Sequence, residues 1–149
     1  MKNSKRRATL WVAGGDDPRA GLRLAKKLAV GARVNFLGHR DDLPELHAAA
    51  DALLLPTRYD AFANVCLEAA ASGLPVVTSG ANGAARWLGS AGITVDDPED
   101  VSGFAKALDA LADPERRRSL GAAARERAEG ASWPRHVEAL RALYREIRR

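Results

Sequence analysis

Apolar residues fall into short runs that alternate with stretches where they recur at helical spacing. Thr9-Leu10-Trp11-Val12-Ala13 is a β-prone run stopped by Gly14-Gly15, and Asp17-Pro18 then offers an N-cap with proline in the first turn. Leu22, Leu24, Ala25, Leu28 and Ala29 continue as a helix face. Val34, Phe36 and Leu37 form a second strand closed by Gly38, and Asp41-Asp42 open a helix carrying Leu43, Leu46 and Ala50. Ala52 to Leu55 is a third run without a polar break, which predicts a strand covered on both faces, and Pro56 ends it. Pro75 to Thr78 and Gly92 to Val95 are the fourth and fifth runs, with helices predicted around Val65 to Ser72 and near Ala84 to Leu88.

Beyond Val95 only helical patterns follow, opening at Asp97-Pro98, Asp113-Pro114 and Ser132-Trp133-Pro134. Val101, Phe104, Ala105, Leu108 and Leu111 make one apolar stripe, and Trp133, Val137, Leu140, Tyr144 and Ile147 make another; both read as core or docking faces. Strands alternating with helices predict an α/β domain, a Rossmann-like parallel sheet with helices on both faces and extra helices at the C-terminus. Ligands of such sheets bind beyond the carboxyl ends of the strands, so the loops after Ala13, Leu37, Leu55, Thr78 and Val95 are the places to search.

The chain has 149 residues, the size of one ordinary domain. Its 23 Lys and Arg against 19 Asp and Glu give a net charge of +4, with basic residues crowded at Lys2, Lys5, Arg6 and Arg7 and again at Arg141, Arg145, Arg148 and Arg149. The aromatic interleaving of a single-strand binder is missing, so no nucleic-acid partner is expected; a solvated surface is the plain reading, with weak membrane-surface association left open. One cysteine, Cys66, sits between Val65 and Leu67 and reads as a small buried residue. No run is long and apolar enough for a membrane span, and the basic start lacks the apolar core of a signal peptide, so a cytoplasmic location is expected. His39, His47 and His136 are scattered, with no metal-ligand spacing, and no Gly-x-Ser-x-Gly elbow is present.

The third loop carries the most information: Pro56-Thr57-Arg58-Tyr59-Asp60-Ala61-Phe62-Ala63-Asn64, running into Val65-Cys66-Leu67-Glu68. With a helix starting near Phe62 or Ala63, the amides of Phe62, Ala63 and Asn64 would point outward at its N-terminus and could receive a phosphate, with carboxylates nearby for sugar hydroxyls. Asp60 reads equally well as an N-cap. Glu68 interrupts an apolar segment, so a partly buried carboxylate is favoured over an exposed one or an internal pair with Arg. Gly38-His39-Arg40 offers an imidazole and a guanidinium that could stack on a base, against the default of a solvated charged turn. Gly14-Gly15-Asp16-Asp17 and Ser79-Gly80-Ala81-Asn82-Gly83 are glycine turns without a dinucleotide or phosphate-loop fingerprint.

In order and spacing, three segments carry a resemblance: Arg33 to Gly38, Ala49 to Thr57, and Leu67 to Val77. Together they resemble the C-terminal donor domain of the retaining GT-B-fold glycosyltransferases of group 1, or family 4, and among them enzymes of lipopolysaccharide-core or surface-glycan assembly. The resemblance implies that Asp60 and Glu68 stand at the two positions of the family's paired acids, with seven residues between them. Asp60 would then contact the transferred sugar and Glu68 the ribose. It also implies donor contacts from Gly38, His39, Arg40, Thr57, Ala61, Phe62, Ala63, Asn64, Asn82 and Gly83. The donor would be a UDP-sugar, used without metal or other cofactor, and the acceptor a glycan or glycolipid.

Several positions depart from that pattern. Asp60 is one methylene shorter than the usual Glu, Ala61 and Ala63 replace glycines, and Arg86 stands where a Glu often follows the later glycine turn. The resemblance further implies that residues 1–149 form one donor domain without its first strand and helix, their Arg and Lys, and the acceptor-binding N-terminal domain. Weak donor binding and negligible turnover by the chain alone are expected, since each lost charge-assisted contact is commonly worth about two to four kcal/mol. An unpaired sheet edge would favour homo-oligomers. The alternative is a non-catalytic module that binds a nucleotide or a protein; a response-regulator-like domain is disfavoured, because Asp16-Asp17 alone supplies too few acids.

Overall fold

A computed structural model describes residues 8–15 and 17–148; the basic cluster Lys2 to Arg7, together with Asp16 and Arg149, lies outside them. The strands are β1 (Leu10–Ala13), β2 (Val34–Gly38), β3 (Leu53–Leu55), β4 (Val76–Ser79) and β5 (Ile93–Val95). The helices are α1 (Arg19–Lys27), α2 (Leu43–Ala49), α3 (Asn64–Ala71), α4 (Gly83–Leu88), α5 (Val101–Ala110), α6 (Pro114–Glu129) and α7 (Trp133–Ile147). Every strand pairing is parallel, as the βα alternation predicts. The pairs form two ladders, β1-β2 and β3-β4-β5, instead of one continuous sheet.

The second ladder holds the core, and strand periodicity distributes it over two faces. Leu53, Leu55 and Val76 pack with Cys66, Ala69, Ala70, Leu88 and Ala124, which belong to α3, α4 and α6. Leu54 and Val77 point the other way, toward Val95, Phe104, Ala107 and Leu111 on the α5 side. Helices therefore cover both faces of this ladder, and β4 between them is buried throughout.

Small residues let α3 and α6 pack closely. Gly121 of α6 faces the turn after α3, where an added Cβ would lie 2.2 Å from the Gly73 carbonyl oxygen. Gly73 has φ +76°, the left-handed conformation that closes a helix, and its N–H donates to Ala70 O at 2.9 Å.

β3 is packed on both faces as expected, through Leu53 and Leu55 on one and Leu54 on the other, yet all three leucines are only half-buried, because β3 has β4 on one side and no ladder partner on the other among the described residues. Two expectations about the helices change. The helix expected from Asp97-Pro98 begins at Val101; Asp97 Oδ1 accepts from Glu99 N in a preceding turn, and Asp100 is the cap, accepting from Gly103 N. Val101, assigned to the α5 stripe, is 62% exposed. On α7 the stripe of Trp133, Val137, Leu140, Tyr144 and Ile147 is exposed along its length, so it contributes no core among the described residues. Arg141, Arg145 and Arg148 are exposed on the same segment. No helix among the described residues is long and apolar enough to cross a membrane.

Candidate functional site

The loops after β3 and β4 leave the same end of their ladder and are fastened together. Asp60 N donates to Ala81 O at 3.2 Å, and Gly83 N donates to Asp60 O at 2.9 Å, which makes a parallel bridge between Asp60 and Asn82. The approach is close enough to require glycine, since a Cβ on Gly83 would sit 1.8 Å from the Ala61 carbonyl oxygen. The Asp60 side chain closes its own turn by accepting from Phe62 N at 3.0 Å. Phe62 is half-buried and meets Trp87 edge to face, with ring centroids 5.8 Å apart.

Asn82 is the brace between these loops. It is 1% exposed, and its side chain is engaged on both ends. Its Oδ1 accepts from Ala84 N at 3.0 Å, capping α4, and from Ala63 N at 3.2 Å, 19 residues back in the chain. Its Nδ2 donates to Thr78 Oγ1 at 2.9 Å and lies 3.5 Å from Cys66 Sγ. Asn82 is among the expected donor contacts; its side-chain polar atoms are engaged inside the protein, where they join the two loops. Burial pushes the Cys66 thiol above its ordinary pKa, in keeping with a buried structural residue.

The expected row of outward amides is likewise reduced. Phe62 N is taken by Asp60 and Ala63 N by Asn82, and Ala63 is buried. The Asn64 and Val65 peptide N–H groups at the start of α3 have no acceptor among the described residues, so of the three expected amides that of Asn64 stays open, and that of Val65 joins it. Glu68 lies in the second turn of α3, exposed, and its carboxylate pairs with none of the described residues, which corrects the expectation of partial burial. Asp60 is half-buried, so the N-cap-like and ligand-facing readings of this residue share one side chain: Oδ1 is engaged locally, while no protein donor is found for Oδ2 among the described residues.

Thr57 is half-buried; its hydroxyl donates to Tyr59 O at 3.2 Å, and its own carbonyl accepts from Ser79 Oγ. Ala61 is exposed at the loop tip. At the other ladder, Gly38 has φ +68° and its carbonyl accepts from Gly14 N at 2.9 Å, joining the loops after β1 and β2. Arg40 is bound at both Nε and NH2 by the Asp42 carboxylate, which raises the guanidinium pKa and lowers that of Asp42. His39 Nε2 lies 3.2 Å from Asp41 Oδ1. This is the solvated charged turn, not a preset base platform. His39, Arg40, Asp41, Asp42, Pro44 and Glu45 line an open depression of about 530 Å³, which neither Asp60 nor Glu68 borders.

Further contacts were not read from sequence. Ser79 and Thr78, both fully buried, tie β4 to the β3 loop through Thr57 O and Leu55 O. Arg58 donates to Glu99 at 2.6 Å, linking the loops after β3 and β5. Hydroxyls ending a strand just before a glycine turn are the local signal; the partners are 22 and 23 residues distant for Ser79 and Thr78 and 41 for Arg58. No group of three or more His, Cys, Asp or Glu among the described residues is placed to hold a metal ion.

This organisation, parallel βα units with fastened loops at one end, can be set against known proteins. The lipopolysaccharide glucosyltransferase WaaG of Escherichia coli K12 is 43% identical over 91 residues, covering 60% of this chain and 24% of that protein. A D-inositol 3-phosphate glycosyltransferase of Saccharomonospora viridis is 36% identical over 159 aligned residues, covering 95% of this chain and 35% of that one. A crystal structure of WaaG matches at a TM-score of 0.77 with 37% identity, over 81% of this chain and 34% of the solved one. The chain thus spans about a quarter to a third of the curated relatives it matches. The model of the family described as Glycosyl transferases group 1 matches residues 1–114. With that match and these loops on a GT-B-type Rossmann-like framework, the chain belongs to the group 1 glycosyltransferases.

Proposed function

We propose that this chain is the donor-binding portion of a retaining glycosyltransferase that moves a hexose from a UDP-sugar to a glycan or glycolipid acceptor, without a metal. The observation that carries the reading is the Asp60–Asn82 fastening. It ties the half-buried Asp60, which accepts from Phe62 N, to the loop that leads into α3, where the Asn64 and Val65 N–H groups have no acceptor among the described residues and Glu68 is exposed in the second turn. A diphosphate received by those amides would gain from the α3 dipole, and no internal partner among the described residues competes for either N–H. Glu68, whose carboxylate pairs with none of the described residues, is suited to accept from two ribose hydroxyls. Asp60 Oδ2 is suited to a sugar hydroxyl and is held rigid through Oδ1. The Phe62 and Ala63 peptides contribute by positioning, since their N–H groups are engaged.

The relatives support this reading: one is named a lipopolysaccharide glucosyltransferase and another a D-inositol 3-phosphate glycosyltransferase. The acceptor is taken to bind to a part of the enzyme beyond these residues, consistent with the third or less of the relatives' length that the chain spans. Catalysis by the chain alone is expected to be negligible.

Titration calorimetry with UDP, UDP-glucose and UMP is the test. Binding of UDP weaker than about 100 μM, near −5.5 kcal/mol, is expected, with UMP weaker still. Equal affinity for UMP and UDP would remove the diphosphate site, and absence of any UDP binding at millimolar concentration would leave a non-catalytic module.

A further inference from the structure

Helix α4 sets an arginine beside the fastened loops. Ala84, Ala85 and Leu88 turn into the core, Trp87 is half-buried against Phe62 of the β3 loop, and Arg86 is exposed. Gly83 and Trp87, about 40° apart around the helix, face the loop that carries Asp60, Ala61 and Phe62. Arg86 lies about 60° from Gly83 on the flank away from the core. The Cα–Cβ bond of a helical residue tilts toward the helix N-terminus, so the Arg86 side chain starts out toward the fastening, where Gly83 N donates to Asp60 O. The rise from Gly83 to Arg86 is about 4.5 Å, shorter than an extended arginine side chain.

The guanidinium is also uncommitted. In the loops at the carboxyl ends of the strands, Arg40 is held by Asp42 and Arg58 by Glu99, whereas Arg86 pairs with none of the described residues. Its planar set of N–H donors matches a carboxylate through two parallel bonds. Asp60 does not take that place: its Oδ1 accepts from Phe62 N, and it forms no ion pair with Arg86. A second anion brought beside the Asp60 carboxylate would be repelled by it, and a cation on the adjoining helix offsets that repulsion. Which part of a donor Arg86 meets follows from the two helices. The diphosphate is proposed for the Asn64 and Val65 amides of α3, while α4 is joined to Asp60, the residue proposed to hold the sugar. Arg86 therefore stands at the sugar end.

We infer that Arg86 reads an acidic group on the transferred sugar: the donor is a UDP-hexuronate, with its C6 carboxylate on the Arg86 guanidinium and a ring hydroxyl on Asp60 Oδ2. The assignment presupposes the donor site proposed above and names the class of sugar within it. A neutral hexose would leave the guanidinium in water at little loss, so the discrimination is a preference in affinity and not an exclusion. Because Arg86 is exposed, the preference is a few-fold and weakens with salt.

Titration calorimetry on this chain with UDP, UDP-glucose and UDP-glucuronate reads that preference. At low salt UDP-glucuronate should bind about three- to fivefold more tightly than UDP-glucose, and the ratio should shrink toward one in about 0.5 M salt. Arg86→Gln should abolish the ratio, Arg86→Glu should invert it, and Arg86→Lys should keep part of it. Arg118→Glu makes the same charge change on an exposed position of α6 and should leave the ratio as in wild type, which separates a local contact from net charge. Both arginines are exposed, so these variants should fold, and thermal melting confirms it. UDP-glucuronate binding no more tightly than UDP-glucose, or a ratio equally changed by Arg118→Glu, overturns the inference and leaves the donor reading standing. An equal loss for UDP, UDP-glucose and UDP-glucuronate in Arg86→Gln would put the guanidinium on the diphosphate and overturn it as well. Absence of UDP binding at millimolar concentration overturns both.

Discussion

Gly83 lies so close to Ala61 that a single added Cβ would fall 1.8 Å from the Ala61 carbonyl oxygen. The two residues belong to different loops, and their contact, with the Gly83 N–H on Asp60 O, fixes the candidate site. Gly83→Ala should therefore force the loops apart, at a cost of about 1–3 kcal/mol typical of overpacking. Thermal melting checks the cost; a melting temperature within a degree of wild type would show that the contact yields freely.

Asn82→Ala should be more damaging than its polar character suggests. It leaves the Ala63 and Ala84 N–H groups without their acceptor in a buried setting, each orphaned group costing about 1–3 kcal/mol before relaxation or water entry, and strips Thr78 Oγ1 of one of its two hydrogen bonds. Urea unfolding should report a loss of at least about 2 kcal/mol. A neutral result would mean that water replaces the Asn82 amide.

Asp60 and Glu68 should separate stability from binding. Glu68→Gln removes charge from an exposed side chain that pairs with none of the described residues, so stability should stay within about 0.5 kcal/mol while UDP affinity falls. Asp60→Ala should in addition lose about 1 kcal/mol, since it removes the acceptor for Phe62 N. Denaturation paired with UDP titration checks both; unchanged UDP affinity in Glu68→Gln would remove Glu68 from the site.

Cys66 carries a pH signature. Burial raises its folded-state pKa above the ordinary thiol value of 9.0, so the unfolded chain ionises first as pH rises. Stability from this group is thus fully present below the ordinary thiol pKa and declines as pH climbs from there through the folded-state value. Urea midpoints between pH 8 and pH 10 should fall for wild type and fall less for Cys66→Ala. Below that window a thiol reagent should label Cys66 only at the rate of opening; rapid labelling in the folded protein would contradict its burial.

The sequence determined the element order and the parallel strand direction, because periodicity, capping residues and βα alternation act over a few residues. Strands at Val34–Gly38 and Val76–Ser79 and a helix over Asn64–Ala71 lie within a residue or two of the patterns that predict them. Asp113 caps α6 as its Asp-Pro signal implies. Tertiary structure alone decided which amides at the α3 N-terminus are taken, that Asn82 is a brace, that Glu68 is exposed, and that the sheet divides between β1 and β3. Each of those outcomes depends on groups many residues apart meeting or failing to meet, and only the packed chain sets those distances.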